Sequence, residues 1–133
     1  MFRAENPKTL ASISNLASIY GNQGRWDEAE KLFVGVMNAF KAKLGSDHPD
    51  TLSSMGNLAL TYMNQGRWDE AETLQVEVIN ARKVKLGLDH PYTLSSMGNL
   101  ASTYRNQGRW DEAEKLQVEI GRASCRERVL MPV

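Results

Sequence analysis

The seven-residue segment Gly24-Arg-Trp-Asp-Glu-Ala-Glu30 occurs three times in this chain of 133 residues. It returns at Gly66–Glu72 and at Gly108–Glu114, so both intervals are 42 residues long. A fixed period between about 20 and 50 residues is the signature of repeat architectures such as solenoids. We therefore expect a stack of similar units, which offers a long surface for binding and no enclosed pocket for catalysis.

The composition excludes several classes of function. Sixteen basic and sixteen acidic side chains give a formal net charge of zero, so the charge balance does not favour nucleic acid or an anionic membrane as a partner. No apolar run approaches the roughly 20 residues of a membrane-spanning helix, and residues 1–5 lack the apolar core of a signal peptide. The single cysteine, Cys125, cannot form an intramolecular disulfide. We expect a cytoplasmic protein.

Each repeat is predicted to be a pair of helices, most clearly in the second copy. Pro49 suits the first turn of a helix, and apolar residues at helical spacing follow it as far as Tyr62. Gly66 suits a left-handed end to this helix. A second helix is expected to run from Trp68, which acidic residues follow, to about Lys85.

These residues resemble a tetratricopeptide repeat. The resemblance rests on Leu58-Ala59-x-x-Tyr62 followed by Gly66–Ala71, and it covers residues 6–119. The usual period of the family is about 34 residues, whereas the 42-residue period and the Leu-Gly-x-Asp-His-Pro connection resemble the kinesin light chain-type subclass. The resemblance implies an all-α fold, an α-α superhelix of about three antiparallel helical hairpins. The repeats are expected at about 6–47, 48–89 and 90–120, the last one truncated.

Two positions depart from the pattern of the family. Gln75 and Gln117 stand where the family usually has an aromatic residue, which Phe33 supplies in the first repeat. This difference predicts looser packing of the later second helices.

The first helices of the repeats differ along one face. Residues 51–72 and 93–114, which contain most of the first helices of repeats two and three, match at 20 of 22 positions, and the exceptions are Leu60 against Ser102 and Met63 against Arg105. At roughly 100° per residue, these positions lie in an arc that is separate from the packing face. Because change is concentrated there, we expect this arc to determine which partner binds. Drift of unconstrained exposed positions is the alternative.

A constant row of asparagines lies beside the variable arc. An amide group offers hydrogen-bond donors and an acceptor, which suits binding the backbone of an extended peptide, and the resemblance implies such a contact for Asn57. The alternatives are that Asn57 ties its helix to the next hairpin and that Asn64 is a helix-end residue. The predicted peptide-binding residues are Asn15, Asn57, Asn99, Ser18, Leu60, Ser102, Met63, Arg105, Asn64 and Asn106.

Other motifs have structural explanations. His48 and His90 each stand in Asp-His-Pro without a second ligand at zinc-site spacing, so a helix-start role is expected. The carboxylate pairs after Trp26, Trp68 and Trp110 recur with the repeat and face a helix N-terminus, and the tryptophans are expected to pack between hairpins. No P-loop, Gly-x-Ser-x-Gly or His-Glu-x-x-His motif occurs. We predict no catalytic residue, no metal and no cofactor.

The repeat register fails after Ile120. The stretch Glu119–Val129 resembles a translated sequencing adapter, so residues 121–133 are expected to be an artefact of assembly or a disordered tail. A genuine divergent tail is the alternative.

The leading prediction is a non-catalytic protein–protein interaction module that binds an extended peptide or a partner helix in a concave groove. The alternative is the ligand-sensing repeat arm of a signalling NTPase of the NACHT or NB-ARC type, because near-identical repeats of this subclass resemble such arms. The expected partner is a protein or peptide, not nucleic acid or a membrane. Self-association through uncapped repeat ends is a third possibility.

Overall fold

A computed structural model describes the backbone of residues 6–130 and the side chains of residues 6 and 8–124. This part of the chain contains six α-helices and no strand. The helices are α1 (Pro7–Asn22), α2 (Trp26–Leu44), α3 (Pro49–Asn64), α4 (Trp68–Leu86), α5 (Pro91–Asn106) and α6 (Trp110–Leu130). Helices α3 to α6 each begin 42 residues after their counterparts in the preceding repeat, and the predicted all-α fold is confirmed. None of these helices is long and apolar enough to span a membrane.

The first helix of each repeat begins at a proline that follows a capping side chain. The Nδ1 atoms of His48 and His90 accept hydrogen bonds from the backbone N–H groups of Asp50 and Tyr92, each at 3.1 Å. The side chain of Asn6 caps α1 in the same way. These bonds satisfy N–H groups that the first turn of a helix leaves without an intrahelical acceptor. The expected helix-start role of the two histidines is confirmed.

A glycine in the left-handed region follows the end of each first helix. Gly24, Gly66 and Gly108 have φ values of +78°, +75° and +77°, which side chains with a Cβ atom rarely adopt. The next helix begins two residues after each glycine. The constant glycine therefore fixes the tight turn inside each repeat.

The helices form two compact units, and the division does not follow the repeats. Unit 1 ends at Arg67 and unit 2 begins at Trp68, inside the second repeat. In unit 1, α2 packs against both α1 and α3, and Leu10, Val36 and Phe40 form a buried apolar cluster. In unit 1 the second helix α2 therefore packs against the first helix that precedes it and the first helix that follows it in the chain.

Unit 2 has the opposite order, with a first helix between two second helices. α5 packs against both α4 and α6, and Ile79, Met97 and Leu100 form the buried cluster. Leu116 and Ile120 of α6 pack against this cluster. The part of α6 that matches the repeat is therefore anchored to α5.

Helix α6 continues past the point where the repeat register fails. Its backbone is helical to Leu130, and Ala123 is 1% exposed. Whether residues 121–130 are native stays a prediction from the sequence. Residues 131–133 lie outside the described part of the chain.

The glutamine that replaces an aromatic residue is well packed in α4. Gln75 is 5% exposed and Phe33, its counterpart in α2, is 4% exposed. The Gln75 Oε1 atom accepts a hydrogen bond of 2.7 Å from the Thr103 hydroxyl. The Gln75 side chain therefore occupies the aromatic position fully and is hydrogen-bonded there. The sequence had predicted looser packing at this position. Gln117 of α6 is exposed.

Candidate peptide-binding surface

The first helices place three predicted asparagines at the surface. Asn15, Asn57 and Asn99 hold equivalent positions in α1, α3 and α5, and all three are exposed. Within the described residues, none of their side-chain amides forms a hydrogen bond. In α3 the neighbouring Leu58 and Ala59 are each 1% exposed, so the buried stripe holds the helix while the amide faces outward. The three amides are available to a partner.

Two of these amides border one depression in unit 1, with a volume of about 280 Å³. It lies where α1, α3 and the end of α2 meet. The lining residues are Ala11, Ser14 and Asn15 of α1, Phe40 of α2, and Asp50, Ser53, Ser54 and Asn57 of α3. Positions 11, 14 and 53 are among those that vary between the repeats. The depression therefore joins the constant asparagines to variable positions.

The depression combines groups that suit one segment of a peptide. The amides of Asn15 and Asn57 can donate to a peptide carbonyl and accept from a peptide N–H. Phe40 is 8% exposed and offers part of its ring, while the exposed carboxylate of Asp50 favours a cation. Pockets for drug-sized ligands measure about 300–1,000 Å³, so this one fits a side chain or a short peptide segment.

The predicted selectivity residues lie on the exposed side of the first helices. Leu60 is 41% exposed, Ser18 is exposed, and Met63 is half-buried. In α5 the structure brings two of them together, because Arg105 Nη2 donates to Ser102 Oγ at 3.0 Å. At equivalent positions α3 thus presents apolar side chains and α5 presents a cation and a hydroxyl.

Asn64 and Asn106 have a different environment from the other asparagines. They are the last residues of α3 and α5. Their Nδ2 atoms donate to the backbone carbonyls of Leu60 and Ser102 at 2.9 and 2.8 Å. This contact matches the helix-end alternative, so both residues are weaker candidates for peptide contact than Asn57.

The end of the second helix contributes residues that the comparison of first helices missed. The counterpart of Phe40 is Arg82, whose Nη1 atom donates to Ser96 Oγ at 2.5 Å and to the Tyr92 carbonyl at 3.3 Å. Burial lowers the pKa of the Arg82 guanidinium, and Tyr92 opposes this effect. Comparing second helices at the 42-residue spacing is the signal that reveals this exchange of a ring for a cation.

The constant motif forms a polar contact between successive repeats, which we call the seam clamp. In unit 1, Gln65 Nε2 donates to Asp27 and Glu30, each at 3.0 Å, and Arg67 Nη1 donates to Glu30 at 2.5 Å. Unit 2 has the same bonds, at 2.6 to 3.0 Å, among Gln107, Arg109, Asp69 and Glu72. The recurring carboxylates therefore serve the fold. No group of three or more His, Cys, Asp or Glu residues in the described part of the chain is placed to hold a metal ion.

The tryptophans do not all pack alike. A Cβ atom added at Gly21 would lie 2.9 Å from the Trp26 ring, so α1 and α2 approach closely there. In the third repeat Arg105 replaces this glycine, and Trp110 is 63% exposed. The expectation that every tryptophan packs between hairpins is wrong for Trp110, whose side chain is largely exposed.

Comparison with protein families identifies the repeat. The model of the tetratricopeptide repeat matches residues 9–64 and 53–119, which together make up most of the chain. No curated protein sequence matches the chain.

Solved structures agree with the family model. Two structures of nearly identical TPR-like repeats, from a Podosopora anserina protein assigned as a kinesin light chain, are 32% identical to this chain. One of them carries a single substitution and has a TM-score of 0.86, and the other has a TM-score of 0.84; the matches cover 96% and 95% of this chain. This chain spans 60% of the length of each. BtubC (BKLC) from P. vanneervenii, 20% identical, has the same fold with a TM-score of 0.88, over 98% of this chain and 52% of that one. The chain therefore belongs to the tetratricopeptide repeat family, and its structural neighbours are kinesin light chain-like repeat proteins.

Proposed function

We propose that this chain is a non-catalytic module that binds an extended peptide along its first helices. Proteins of this repeat family generally act as protein–protein interaction scaffolds. The observation that carries the finer proposal is the depression of unit 1, where Asn15 and Asn57 lie beside Phe40. We also propose a cytoplasmic location, which the single cysteine favours.

Backbone binding and side-chain selection are assigned to different residues. The amides of Asn15 and Asn57 bind the peptide backbone, which is common to all sequences. Phe40 and Asp50 select the side chains in unit 1. A peptide with an apolar residue beside a lysine or arginine fits this pair, because the exposed part of the Phe40 ring contacts the apolar residue and the Asp50 carboxylate pairs with the cation.

The test is to remove both amides of the depression. Peptides are first selected on the wild-type chain from a phage-displayed random library, and their affinities are then measured by calorimetry. Two lost hydrogen bonds of about 1 kcal/mol each predict roughly 30-fold weaker binding by the Asn15→Ala, Asn57→Ala double variant. Asn38→Ala, an exposed asparagine of α2, is the matched control and should bind as wild type. Equal affinity of the double variant and wild type would remove the proposal.

A second candidate is the ligand-sensing arm of a signalling NTPase of the NACHT or NB-ARC type. It is favoured by the match of 20 out of 22 positions between residues 51–72 and 93–114. A Walker motif upstream in the same gene would identify such a parent protein. An upstream coiled-coil heptad pattern would identify a cargo adaptor instead.

A further inference from the structure

We propose that the outer face of α6 binds the outer face of α1 in a second copy of this chain, so that copies join head to tail. The seam clamp is the template for this contact. In each unit its acceptor half lies on a second helix, and its donor half directly follows the next first helix. The described residues contain one more half of each kind.

The additional acceptor half lies on α6. Asp111 and Glu114 are the counterparts of Asp69 and Glu72, and both are exposed. They line an open depression of about 740 Å³, together with Lys115, Val118, Glu119 and Arg122. The equivalent carboxylates of α2 and α4 receive a glutamine amide and a guanidinium. The depression on α6 is therefore placed to receive the same two groups.

The additional donor half follows α1. Gln23 and Arg25 are the counterparts of Gln65 and Arg67 and of Gln107 and Arg109. In both existing clamps the arginine Nη1 atom donates to a glutamate of the preceding second helix. The Nη1 atom of Arg25 has only Gln23 Oε1, at 3.4 Å, among the described residues. The Arg25 Nη1 atom therefore has no carboxylate partner in the described part of the chain.

Arg25 is already held in the orientation of a clamp. Its guanidinium carbon lies 4.1 Å from the centre of the Tyr20 ring, against 4.4 Å for Arg109 and the Tyr104 ring. Glu28 binds the Nε and Nη2 atoms of Arg25, as the corresponding glutamate does for Arg109. Binding a second copy would therefore cost little side-chain ordering.

The apolar residues beside the donor half are exposed in α1 and buried in the other first helices. The reason is that α2 covers α3 and α4 covers α5, whereas no second helix covers α1 from that side in the described part of the chain. Leu16 is 39% exposed and Ile19 is 51% exposed. The counterparts are Leu58 at 1%, Leu100 at 5%, Thr61 at 3% and Thr103 at 0%. A copy docked through α6 would cover Leu16 and Ile19.

Two mismatches make this contact weaker than the seams within the chain. Gly121 stands where Ile79 packs into the core of unit 2, and Ile19 stands where Thr103 binds Gln75. Because the two halves lie on different helices, each contact is heterologous. We expect weak association that increases with concentration.

The experiment measures the mass of the purified full chain by sedimentation and light scattering up to about 1 mM, a range that reveals weak contacts. The average mass of the wild type should rise above that of the monomer as the concentration increases. Arg25→Glu and Glu114→Arg each oppose like charges and should shift association to at least about tenfold higher concentration. An equimolar mixture of these two variants should recover association, because each altered half then meets the opposite charge. Gly121→Ile should strengthen association, since its Cβ atom meets open space.

The control is Glu77→Arg, which makes the same charge change at an exposed position of α4 and should associate as wild type. A wild type that stays monomeric, or association that neither charge reversal weakens, would overturn the proposal. Failure of two folded variants to recover association on mixing would do so as well. Peptide binding through Asn15 and Asn57 does not involve these residues, so the two proposals fail separately.

Discussion

Unit 1 and unit 2 are built from the same repeat, yet their second helices fill two equivalent positions differently. α2 has Phe33 and Phe40 where α4 has Gln75 and Arg82. Phe40 joins a buried apolar cluster, whereas both polar residues of α4 form hydrogen bonds to α5. The repeat therefore accepts a polar side chain on this face where the following first helix supplies a partner for it.

The largest effect is expected from truncating the apolar member of the pair. Phe40→Ala should lower the free energy of unfolding by about 3–5 kcal/mol, because it leaves a cavity beside Leu10 and Val36. Arg82→Ala should cost only about 1 kcal/mol, because its partners Tyr92 and Ser96 can bind water instead. Urea unfolding followed by circular dichroism measures both. Equal losses would mean that the two positions contribute to stability in the same way, despite their different partners.

A smaller effect is expected from the bond between Gln75 and Thr103. Thr103→Val removes the hydroxyl that donates to the buried Gln75 oxygen and should cost about 1–3 kcal/mol. Thr61→Val is the matched control in unit 1, because the Thr61 hydroxyl donates to the backbone carbonyl of Asn57; it should cost less than Thr103→Val, since that carbonyl keeps its hydrogen bond within the helix.

The same bond can be examined by making both partners apolar. Combining Thr103→Val with Gln75→Leu should recover most of the loss, since no buried polar group is then left without its partner. Equal losses in the two threonine variants, or no recovery in the double variant, would show that the Gln75–Thr103 bond does not distinguish the units.

The smallest effect concerns a feature that the two units share. Hydrogen bonds from Arg25 and Arg109 hold the pKa values of Glu28 and Glu112 below the ordinary value of 4.5. A lowered pKa means that these carboxylates stabilise the fold above pH 4.5 and that this contribution is lost as the pH falls through the folded pKa. Carboxyl NMR titration should give both midpoints below 4.5. Arg109→Ala should move the Glu112 midpoint up and leave that of Glu28 unchanged; identical behaviour of both would contradict the assignment.

The sequence allowed the helices to be predicted almost to the residue. The predicted second helix from Trp68 to about Lys85 ends at Leu86 in the structure. Three copies of the same glycine and proline signals locate each turn independently, and the left-handed glycine leaves little freedom in the turn. Local backbone constraints of this kind can be predicted from the residue types alone.

Contacts between repeats could not be predicted in the same way. The seam clamp joins side chains 35 to 38 positions apart, and a period alone does not show which side chains meet. Phe40 was missed as a lining residue because it lies at the end of a second helix, outside the helices that were compared. The exposure of Trp110 was missed because the segment around the three tryptophans is identical in every repeat and predicts the same packing for each.

The seam clamp also bears on how such a gene changes over generations. Both halves of the clamp are encoded by residues that every copy carries. A recombination that deletes residues 49–90 would bring Gln107 and Arg109 to Asp27 and Glu30, the partners that Gln65 and Arg67 have now. Every junction would then keep its hydrogen bonds while the molecule became shorter by one period. The number of repeats can therefore change between descendants without any new side-chain contact between repeats.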